Sequence, residues 1–374
     1  MQLETQYDSA LMAEKSIEEI AREAVPKITI LGVGGGGSNI VTWLKKDGVA
    51  ARTIALNSDA QHLMVTKADD KVLLGYKTTG GLGCGGFPEQ GQRAVEESAT
   101  EVERVLSDSA LVFVATTLGG GTGTGASPLV AKIAKEYGAL TLGVVTIPFN
   151  VEGTRIVKAR EGLQRLAEEC DSVIVVDNNR LRKVAGNLPL RDAFGVANER
   201  IGSFIKGISE AISSPGHMNL DFADMRAIMK DGGVCAIGFG EGSGDSKVED
   251  AVEQALDSQL LDIGDIMMAK GALINIEGGE DMTLDDVNRA GELVMKQISP
   301  SAKVIWGAMV DRDLKDKIRA TVVLAGVESP FLKAKPETKP KSKRETPKIV
   351  AKKSGKRGRK TLKVSRSPPK KAKA

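Results

Sequence analysis

Three glycine-rich segments contain the residues with the clearest chemical potential in this chain. They are Gly32–Asn39 (GVGGGGSN), Gly80–Gly86 (GGLGCGG) and Gly119–Gly125 (GGGTGTG), and each follows an apolar run typical of a strand. Glycine lets backbone N–H groups approach a ligand closely. A row of such amides that ends at a helix N-terminus binds phosphate. Three such segments therefore predict a ligand with several phosphates.

The three segments differ in how strongly they indicate a ligand. The first satisfies the dinucleotide fingerprint, but the ribose-binding acid expected about 20 residues later is missing where the second strand ends, at Asn57. No Gly-Lys-Ser/Thr is present, which excludes a Walker A loop. Tight turns explain the first segment well and the second less well. They explain the third poorly, because five of its seven residues are glycine and two are threonine.

The elements around these segments predict an α/β fold. Short apolar runs that suit strands buried on both faces alternate with stretches of helical periodicity. The strand candidates are 27–33, 51–57, 71–74, 110–117, 139–147 and 172–176, and the helix candidates include 89–106 and 127–137. This alternation predicts a doubly wound parallel sheet with helices on both sides. Loops at the carboxyl ends of its strands would converge on one crevice.

A second, smaller α+β unit is predicted after a long helix over 190–213. Its strand candidates are 234–240, 272–277, 303–310 and 318–326, and its helix candidates are 247–258 and 283–298. At the other end of the chain, residues 8–24 predict one amphipathic helix.

Charge divides the chain into two unlike parts. The total is +3, but residues 333–374 hold 18 basic and 2 acidic residues, which leaves a net charge of −13 on residues 1–332. The basic segment is rich in lysine, proline and serine and shows no apolar period, so we expect it to be disordered.

Rare residue types exclude several kinds of site. Three cysteines without CxxC spacing argue against a disulfide framework or a thiolate zinc site, and favour a cytoplasmic location. With only two histidines, the chain is a poor candidate for a histidine-rich metal site or a histidine-based catalytic triad. No apolar run reaches the length of a membrane span, and the polar, acidic N-terminus does not suit a secretory signal.

Two motifs give the chain a specific resemblance. The segment GGGTGTG at 119–125 resembles the signature of the tubulin/FtsZ family of self-assembling GTPases, and NLDFAD at 219–224 resembles the catalytic loop of its FtsZ branch. The likeness extends from about residue 27 to about residue 326. It implies a prokaryotic protein of archaeal type that binds GTP or GDP with Mg²⁺, hydrolyses GTP, polymerises head to tail with itself, and acts in cell division.

The resemblance assigns phosphate-binding roles to the glycine segments. It implies that phosphates and sugar are contacted by Gly35, Gly36, Gly37, Ser38 and Asn39, and that the β- and γ-phosphates are wrapped by Gly120, Gly121, Thr122 and Gly123. The residues that match the γ-phosphate-sensing loop are Cys84, Gly85 and Gly86. Asp59 matches the acid near magnesium, which it would reach through water. For Cys84, a small filler beside phosphate is favoured over a reactive thiol.

Base and ribose contacts follow from the same resemblance. Glu152 matches the ribose-binding acid, and Arg155 its partner, although Glu152-Gly-Thr-Arg155 is one residue shorter than the family's Glu-Gly-x-x-Arg. Asn178 and Asn198 match positions that contact guanine and ribose. Phe194 matches the ring that stacks on the base; without the resemblance, it would be interpreted as a core aromatic.

The resemblance also implies that catalysis is shared between subunits. Asn219, Asp221 and Asp224 would enter the next subunit's nucleotide site, where the two acids position and polarise water. Local sequence alone favours a simpler role, in which Asn219 or Asp221 caps a helix over 225–230.

The predicted domains follow from these assignments. They are an N-terminal extension (1–26), a nucleotide-binding domain (27–188), a central helix (189–218), a catalytic loop with the second α+β domain (219–330) and a basic tail (331–374).

The sequence leaves two further functional hypotheses open. The first glycine segment alone allows a nicotinamide-dependent oxidoreductase. The tail, with +16 over residues 333–374, would attract polyanions, such as an anionic membrane surface or nucleic acid. Filaments that organise DNA or cell shape through this tail are therefore an alternative to division, and the family pattern does not identify division-protein partners.

Overall fold

The computed structural model describes residues 25–179, 189–213, 221–230, 232–257, 266–312, 314–329 and 331–332, without the side chains of 190–194 and 197. The helix predicted over 8–24 and the basic tail lie outside these residues.

In the described part of the chain, ten strands form one sheet in the order β3-β2-β1-β4-β5-β6-β7-β10-β8-β9. The strands are β1 (Ile28–Val33), β2 (Arg52–Asn57), β3 (Asp70–Leu73), β4 (Leu111–Thr117), β5 (Leu140–Ile147), β6 (Ser172–Asp177), β7 (Gly233–Ser243), β8 (Gly271–Gly278), β9 (Lys303–Val310) and β10 (Lys317–Ala325).

The α-helices of the described residues are α1 (Gly34–Lys46), α2 (Ala60–Val65), α3 (Tyr76–Thr79), α4 (Pro88–Glu97), α5 (Ala99–Leu106), α6 (Thr122–Glu136), α7 (Thr154–Glu169), α8 (Leu190–Ser213), α9 (Phe222–Met229), α10 (Lys247–Leu256) and α11 (Leu284–Met295). Short 3₁₀ turns occur at Asn150–Glu152, Gly244–Ser246 and Ile266–Met268. Among these elements, no helix is both long enough and apolar enough to cross a bilayer.

Strands β1 to β6 are parallel and have helices on both faces, so the predicted doubly wound sheet is confirmed. On one face, α1, α8 and α9 pack against the sheet through residues such as Ile40, Phe204 and Met225. On the other face, α4 to α7 pack through residues such as Val95 and Leu163. Since both faces are covered, the central strands β1, β4, β5 and β6 are largely apolar and buried along nearly their whole length, as several of the sequence runs predict.

The second half of the chain has the predicted α+β composition, but its strands extend the first sheet. Strand β7 pairs in parallel with β6 over three residue pairs, from Ser172↔Gly233 to Ile174↔Cys235. Strand β10 then lies antiparallel between β7 and β8. Helices α10 and α11 cover a separate core on this half. The division of the chain into the predicted domains stays a prediction.

Two helix boundaries differ from the sequence prediction. The helix predicted over 89–106 is two helices, because Ser98 leaves helical geometry (φ −105°, ψ 16°) and its Oγ accepts a hydrogen bond from the Gly75 N–H at 2.9 Å. The helix predicted over 127–137 begins earlier, at Thr122. Glycine's poor helix propensity hid this start, since Gly123 and Gly125 form part of its first turns.

Helix α8 joins the two halves through small residues and charges. Gly202 lies so close to α1 that an added Cβ would be 2.2 Å from the Trp43 ring, and one turn later Lys206 binds the Asp47 carboxylate at 2.7 Å. On β8, the Glu277 carboxylate and the Asn275 amide lie within about 3.2 Å of where a Gly207 Cβ would stand. The long helix therefore contacts both the helix after the first glycine segment and the second half of the sheet.

Burial raises the pKa of Glu277 above its ordinary value, against the opposing effect of Arg319, while Asp311 and Glu210 add to the increase. An acid with a raised folded-state pKa stabilises the fold below its unfolded pKa and loses that contribution as the pH rises through the folded value. Ionised Glu277 is therefore a cost to folding near neutrality.

We expect Glu277→Gln to raise the free energy of unfolding at about pH 8, and the gain to shrink as the pH approaches the ordinary glutamate value. Urea unfolding at several pH values measures this. Glu241→Gln is the matched control with the opposite sign, because hydrogen bonding to Lys317, followed by Arg319, lowers the pKa of Glu241. A lower stability of Glu277→Gln at neutral pH would contradict the prediction.

Candidate functional site

All three glycine segments lie at the edge where β1 to β6 end, because parallel strands bring their carboxyl ends to the same side. The first segment leads from β1 into α1, and the third leads from β4 into α6. The second follows β3 and the short helix α3. We call this side the carboxyl edge.

In the first segment, packing by itself requires glycine at several positions. A Cβ on Gly37 would lie 2.4 Å from the Ala115 carbonyl oxygen, and a Cβ on Gly36 would lie 2.0 Å from the Thr117 hydroxyl oxygen. A Cβ on Gly35 would make a less severe contact, because it would lie 3.2 Å from the His62 ring. These glycines let α1 lie directly on β4, so α1 begins within the segment and presents its N-terminus at the carboxyl edge.

The third segment combines packed and open glycines. A Cβ on Gly121 would lie 2.7 Å from the Cys84 Cβ, and one on Gly123 would lie 2.5 Å from the Thr116 hydroxyl oxygen. In contrast, apart from its two chain neighbours, no described residue has an atom within 4 Å of a Cβ on Gly120, whose φ is not positive. Neither packing against the described residues nor backbone geometry therefore requires glycine at position 120, and its assignment to the ligand stays a prediction.

The second segment is attached to the third by buried polar contacts. The Ser58 hydroxyl lies 3.2 Å from the Cys84 sulfur and 2.7 Å from the Thr122 hydroxyl. Gly85 and Gly86 have positive φ values of 56° and 80°, which favour glycine. Cys84 is buried, in agreement with its interpretation as a small filler.

Buried polar atoms at the carboxyl edge lack partners among the described residues. They are Ser38 Oγ, Asn57 Nδ2 and Asn178 Oδ1. A buried polar atom without a hydrogen bond is costly, so each such atom in a protein needs an explanation. A polar ligand at this edge would supply a partner for Ser38 and Asn178, both of which the resemblance assigns to ligand binding.

Asp59 and Asn39 lie close to each other through His62. The Asp59 carboxylate accepts a hydrogen bond from the His62 backbone N–H at 3.0 Å and caps α2, and Asn39 Oδ1 lies 3.1 Å from His62 Nε2. In the described part of the chain, no three histidine, cysteine or acidic side chains are placed to hold a metal. A single carboxylate such as that of Asp59 is compatible with Mg²⁺, because this ion keeps several waters and takes one or two carboxylates together with substrate phosphates.

Glu152 and Arg155 form an ion pair in spite of the shorter spacing. Arg155 Nη1 donates to Glu152 Oε2 at 2.8 Å, and the Phe149 backbone N–H donates to the other oxygen at 2.9 Å. Nearby, the Asn150 N–H donates to Asn179 Oδ1 at 2.9 Å, which ties this turn to the end of β6. Both acid and arginine therefore lie at the carboxyl edge.

The acidic motif lies at the opposite side, where β5, β6 and β9 begin, which we call the amino edge. Arg226 of α9 donates to the carbonyl of Gly138, just before β5, and the Met229 carbonyl accepts from Ser172, the first residue of β6. The exposed Asp221 caps α9 by accepting from the Ala223 N–H at 2.8 Å, as local sequence alone suggested, but the helix begins at Phe222 and not at Met225. Asp224 pairs with Lys303, the first residue of β9, at 3.3 Å.

Two assigned residues of the central helix and the acidic motif are described in part or not at all. Asn219 lies outside the described residues. Phe194 belongs to α8 by its backbone, but its side chain lies outside the description. Asn198 lies on the same helix and is half-buried.

Sequence reasoning missed the residues that connect these elements. His62, Ser58, Asn179, Lys158 and Lys303 all contact assigned site residues or their neighbours. Of these, Ser58 and Asn179 are adjacent in the sequence to the assigned Asp59 and Asn178, and His62 follows Asp59 by three residues. The others reach the site from distant elements.

Family comparison agrees with this geometry. Residues 27–186 match the GTPase domain of the Tubulin/FtsZ family, and residues 233–328 match the C-terminal domain of the FtsZ family. Cell division protein FtsZ 2 of Methanocaldococcus jannaschii is 46% identical over 338 residues, which cover 89% of this chain and 88% of the relative. The chain belongs to the FtsZ family. As an FtsZ-family protein it is a tubulin-like GTPase that binds guanine nucleotide.

Other relatives extend this agreement to the fold. Cell division protein FtsZ 1 of Archaeoglobus fulgidus is 46% identical over 85% of this FtsZ-family chain and 86% of its own length. A solved FtsZ dimer from M. jannaschii matches with a TM-score of 0.79 at 44% identity, covering 86% of this chain and 92% of that one. The CetZ2 protofilament of Haloferax volcanii matches with a TM-score of 0.69 at 25% identity, covering 81% and 93%. The oxidoreductase alternative is thereby set aside.

A pair of alanine substitutions separates packing from ligand binding in this FtsZ-family protein. Gly37→Ala should lower the free energy of unfolding by about 1–3 kcal/mol, because its Cβ would overlap backbone atoms. Gly120→Ala should leave stability unchanged within about 1 kcal/mol and weaken GTP binding about tenfold, the equivalent of one charged hydrogen bond.

Chemical denaturation and equilibrium binding of a fluorescent GTP analogue measure the two effects. Unchanged nucleotide affinity in a fully folded Gly120→Ala protein would remove the assignment of this glycine to the ligand.

Proposed function

We propose that this GTPase polymerises head to tail, that each hydrolysis site is completed by the adjacent subunit, and that the filament acts in cell division in the cytoplasm. One observation carries the proposal: the glycine segments and the acidic motif lie at opposite edges of the same sheet. The relatives named as cell division proteins support the cellular role.

The separation of the two edges follows from strand length. Strand β5 has eight residues, and a strand rises about 3.3 Å per residue, so its ends are roughly 25 Å apart. The Gly138 carbonyl that Arg226 contacts precedes this strand, and the turn with Glu152 follows it. A carboxylate must be within hydrogen-bonding distance, or one water, of the group on which it acts. Asp221 and Asp224 therefore cannot act on a nucleotide bound by their own chain.

Both edges also carry exposed apolar side chains suited to contact between copies. At the carboxyl edge, Leu82 is 82% and Val151 92% exposed. At the amino edge, Met267 and Met268 directly precede β8 and are about half exposed. Two different surfaces on opposite sides form a heterologous contact that repeats into a filament. The solved M. jannaschii dimer and the CetZ2 protofilament with GTPγS support assembly of this kind.

The roles proposed for the carboxyl-edge residues follow the sequence assignments. Amides of Gly35–Gly37, Gly85–Gly86 and Gly120–Gly123 would bind phosphate oxygens, with Ser38, Asn39, Cys84 and Thr122 lining the same loops. Asp59 would hold Mg²⁺ through water, and the bound ion would neutralise phosphate charge. Glu152 and Arg155 would bind the ribose. Asn178 and Asn198 would contact guanine and ribose, and Phe194 would stack on the base. An asparagine amide offers a donor and an acceptor to a purine edge.

At the transition state, the amino edge of the adjacent subunit would supply the polar groups that orient the attacking water. Asn219, Asp221 and Asp224 of one subunit would orient the attacking water at the terminal phosphate of the next. Asp224 would have to exchange its exposed Lys303 partner for this role, at little cost, since an exposed ion pair contributes about 0–1 kcal/mol.

Mixing two impaired variants, at a GTP concentration that saturates Asp221→Ala but not Gly120→Ala, tests the shared site directly. Asp221→Ala should bind GTP normally but hydrolyse it at least about 100-fold more slowly, as when a group that stabilises the transition state is lost. Gly120→Ala keeps its acidic motif but binds nucleotide weakly. If the site is shared, the mixture should turn over GTP faster than the sum of the two proteins measured separately.

Asp221→Asn is the matched control, because asparagine caps helices as well as aspartate does. It should preserve stability yet lose hydrolysis, whereas a purely structural role predicts normal hydrolysis in this variant. Hydrolysis by the wild type that stays linear in protein concentration down to nanomolar levels would count against a shared site.

For the basic tail, 333–374, we propose attachment of the filament to an anionic partner, either a membrane surface or a nucleic acid. The charge of +16 carries this proposal. Near an anionic bilayer each cation contributes about 1 kcal/mol, and on duplex DNA each neutralised phosphate steepens the salt dependence of log K by about 0.9.

Removing residues 333–374 should abolish sedimentation with anionic vesicles or with DNA, whichever is the partner, while GTPase activity persists. Neutral vesicles are the control. If the truncated protein binds both polyanions as well as the full chain does, the tail is not the attachment segment.

A further inference from the structure

Lys158 on α7 is bound to the loop between α3 and α4 that approaches the third glycine segment. Its Nζ donates to the Gly86 carbonyl at 2.6 Å and lies 5.5 Å from the centroid of the Phe87 ring. Lys158 is half-buried. No motif in the sequence pointed to it, and the proposed mechanism gives it no role.

The loop that Lys158 contacts is otherwise anchored on one side. Cys84 lies against Ser58 and packs where Gly121 has no side chain, and the Phe87 N–H closes a turn on the Cys84 carbonyl at 2.9 Å. Between these points, Gly85 and Gly86 have left-handed backbone, and Gly85 is exposed. Two such glycines lose more conformational freedom on ordering than other residues do. The Lys158 contact restrains this part of the loop from the opposite side.

We propose that Lys158 is a positioning residue that makes the site prefer GTP to GDP. It holds Gly85 and Gly86 in place before the nucleotide arrives, so that their amides face the terminal phosphate without a further ordering cost. GDP lacks the phosphate that this loop reaches, so its binding does not depend on the restraint. This inference rests on the proposed assignment of Cys84, Gly85 and Gly86 to the γ-phosphate.

Geometry makes α7 a suitable platform for this role. The helix begins directly after the Glu152 turn, and Arg155, one turn before Lys158, binds Glu152. A Cβ on Gly119, at the start of the third segment, would be 2.9 Å from the Arg155 carbonyl oxygen. Helix α7 thus contacts the ribose-side turn, the third segment and, through Lys158, the γ-phosphate loop.

The test compares two nucleotides on the full-length protein at nanomolar concentration, below any assembly threshold. Lys158→Met should weaken binding of GTPγS about tenfold, the loss equivalent to one charge-assisted hydrogen bond, and change GDP affinity less than about twofold. Lys158→Arg, which retains a donor, should recover most of the GTPγS affinity. Arg160→Met, at an exposed position of the same helix, should bind both nucleotides as the wild type does.

Equal losses of GTPγS and GDP affinity in Lys158→Met would indicate a purely structural role and overturn the proposal, as would unchanged affinity for both. The result does not depend on filament formation. Gly85→Ala separates the two assumptions. If both Lys158→Met and Gly85→Ala left the ratio of GTPγS to GDP affinity at the wild-type value, the assignment of the loop to the γ-phosphate would be wrong, and not only the role proposed for Lys158.

Discussion

The contact of backbone with backbone at the carboxyl edge is the constraint on which the rest of the structure depends. Helix α1 can lie on β4 only because Gly37 has no side chain to meet the Ala115 carbonyl. The loop before α4 approaches α6 only because Gly121 leaves room for Cys84. Three glycine-rich segments from distant parts of the chain thereby occupy one small region, where helix N-termini and loop amides lie close together.

This constraint also explains how an acidic body can bind a polyanion. Residues 1–332 carry a net charge of −13, so bulk charge opposes nucleotide binding. Backbone amides and helix N-termini attract phosphate at short range without a net positive charge. Two cations at the carboxyl edge already have partners within the chain: Arg155 binds Glu152, and Lys158 binds the Gly86 carbonyl.

Much of the fold could be predicted from local patterns, and the failures have physical causes. Apolar runs revealed the strands because burial on both faces demands them, and the glycine segments revealed the ligand edge. The start of α6 at Thr122 was hidden because packing overrides the poor helix propensity of Gly123 and Gly125. The pairing of β6 with β7 was hidden because strand order across a long connection leaves no local signal. Lys158 and Lys303 were missed because a lysine's partner is set by tertiary structure.

The position of the acidic motif at the far end of the same strands has a consequence for stoichiometry. If one subunit's amino edge completes the next subunit's site, a filament of any length contains one fewer complete site than it has subunits. The terminal carboxyl edge is always left without acids. Turnover per subunit therefore rises with filament length towards a limit, and fragmentation into short pieces lowers it even when every molecule is fully folded and saturated with nucleotide.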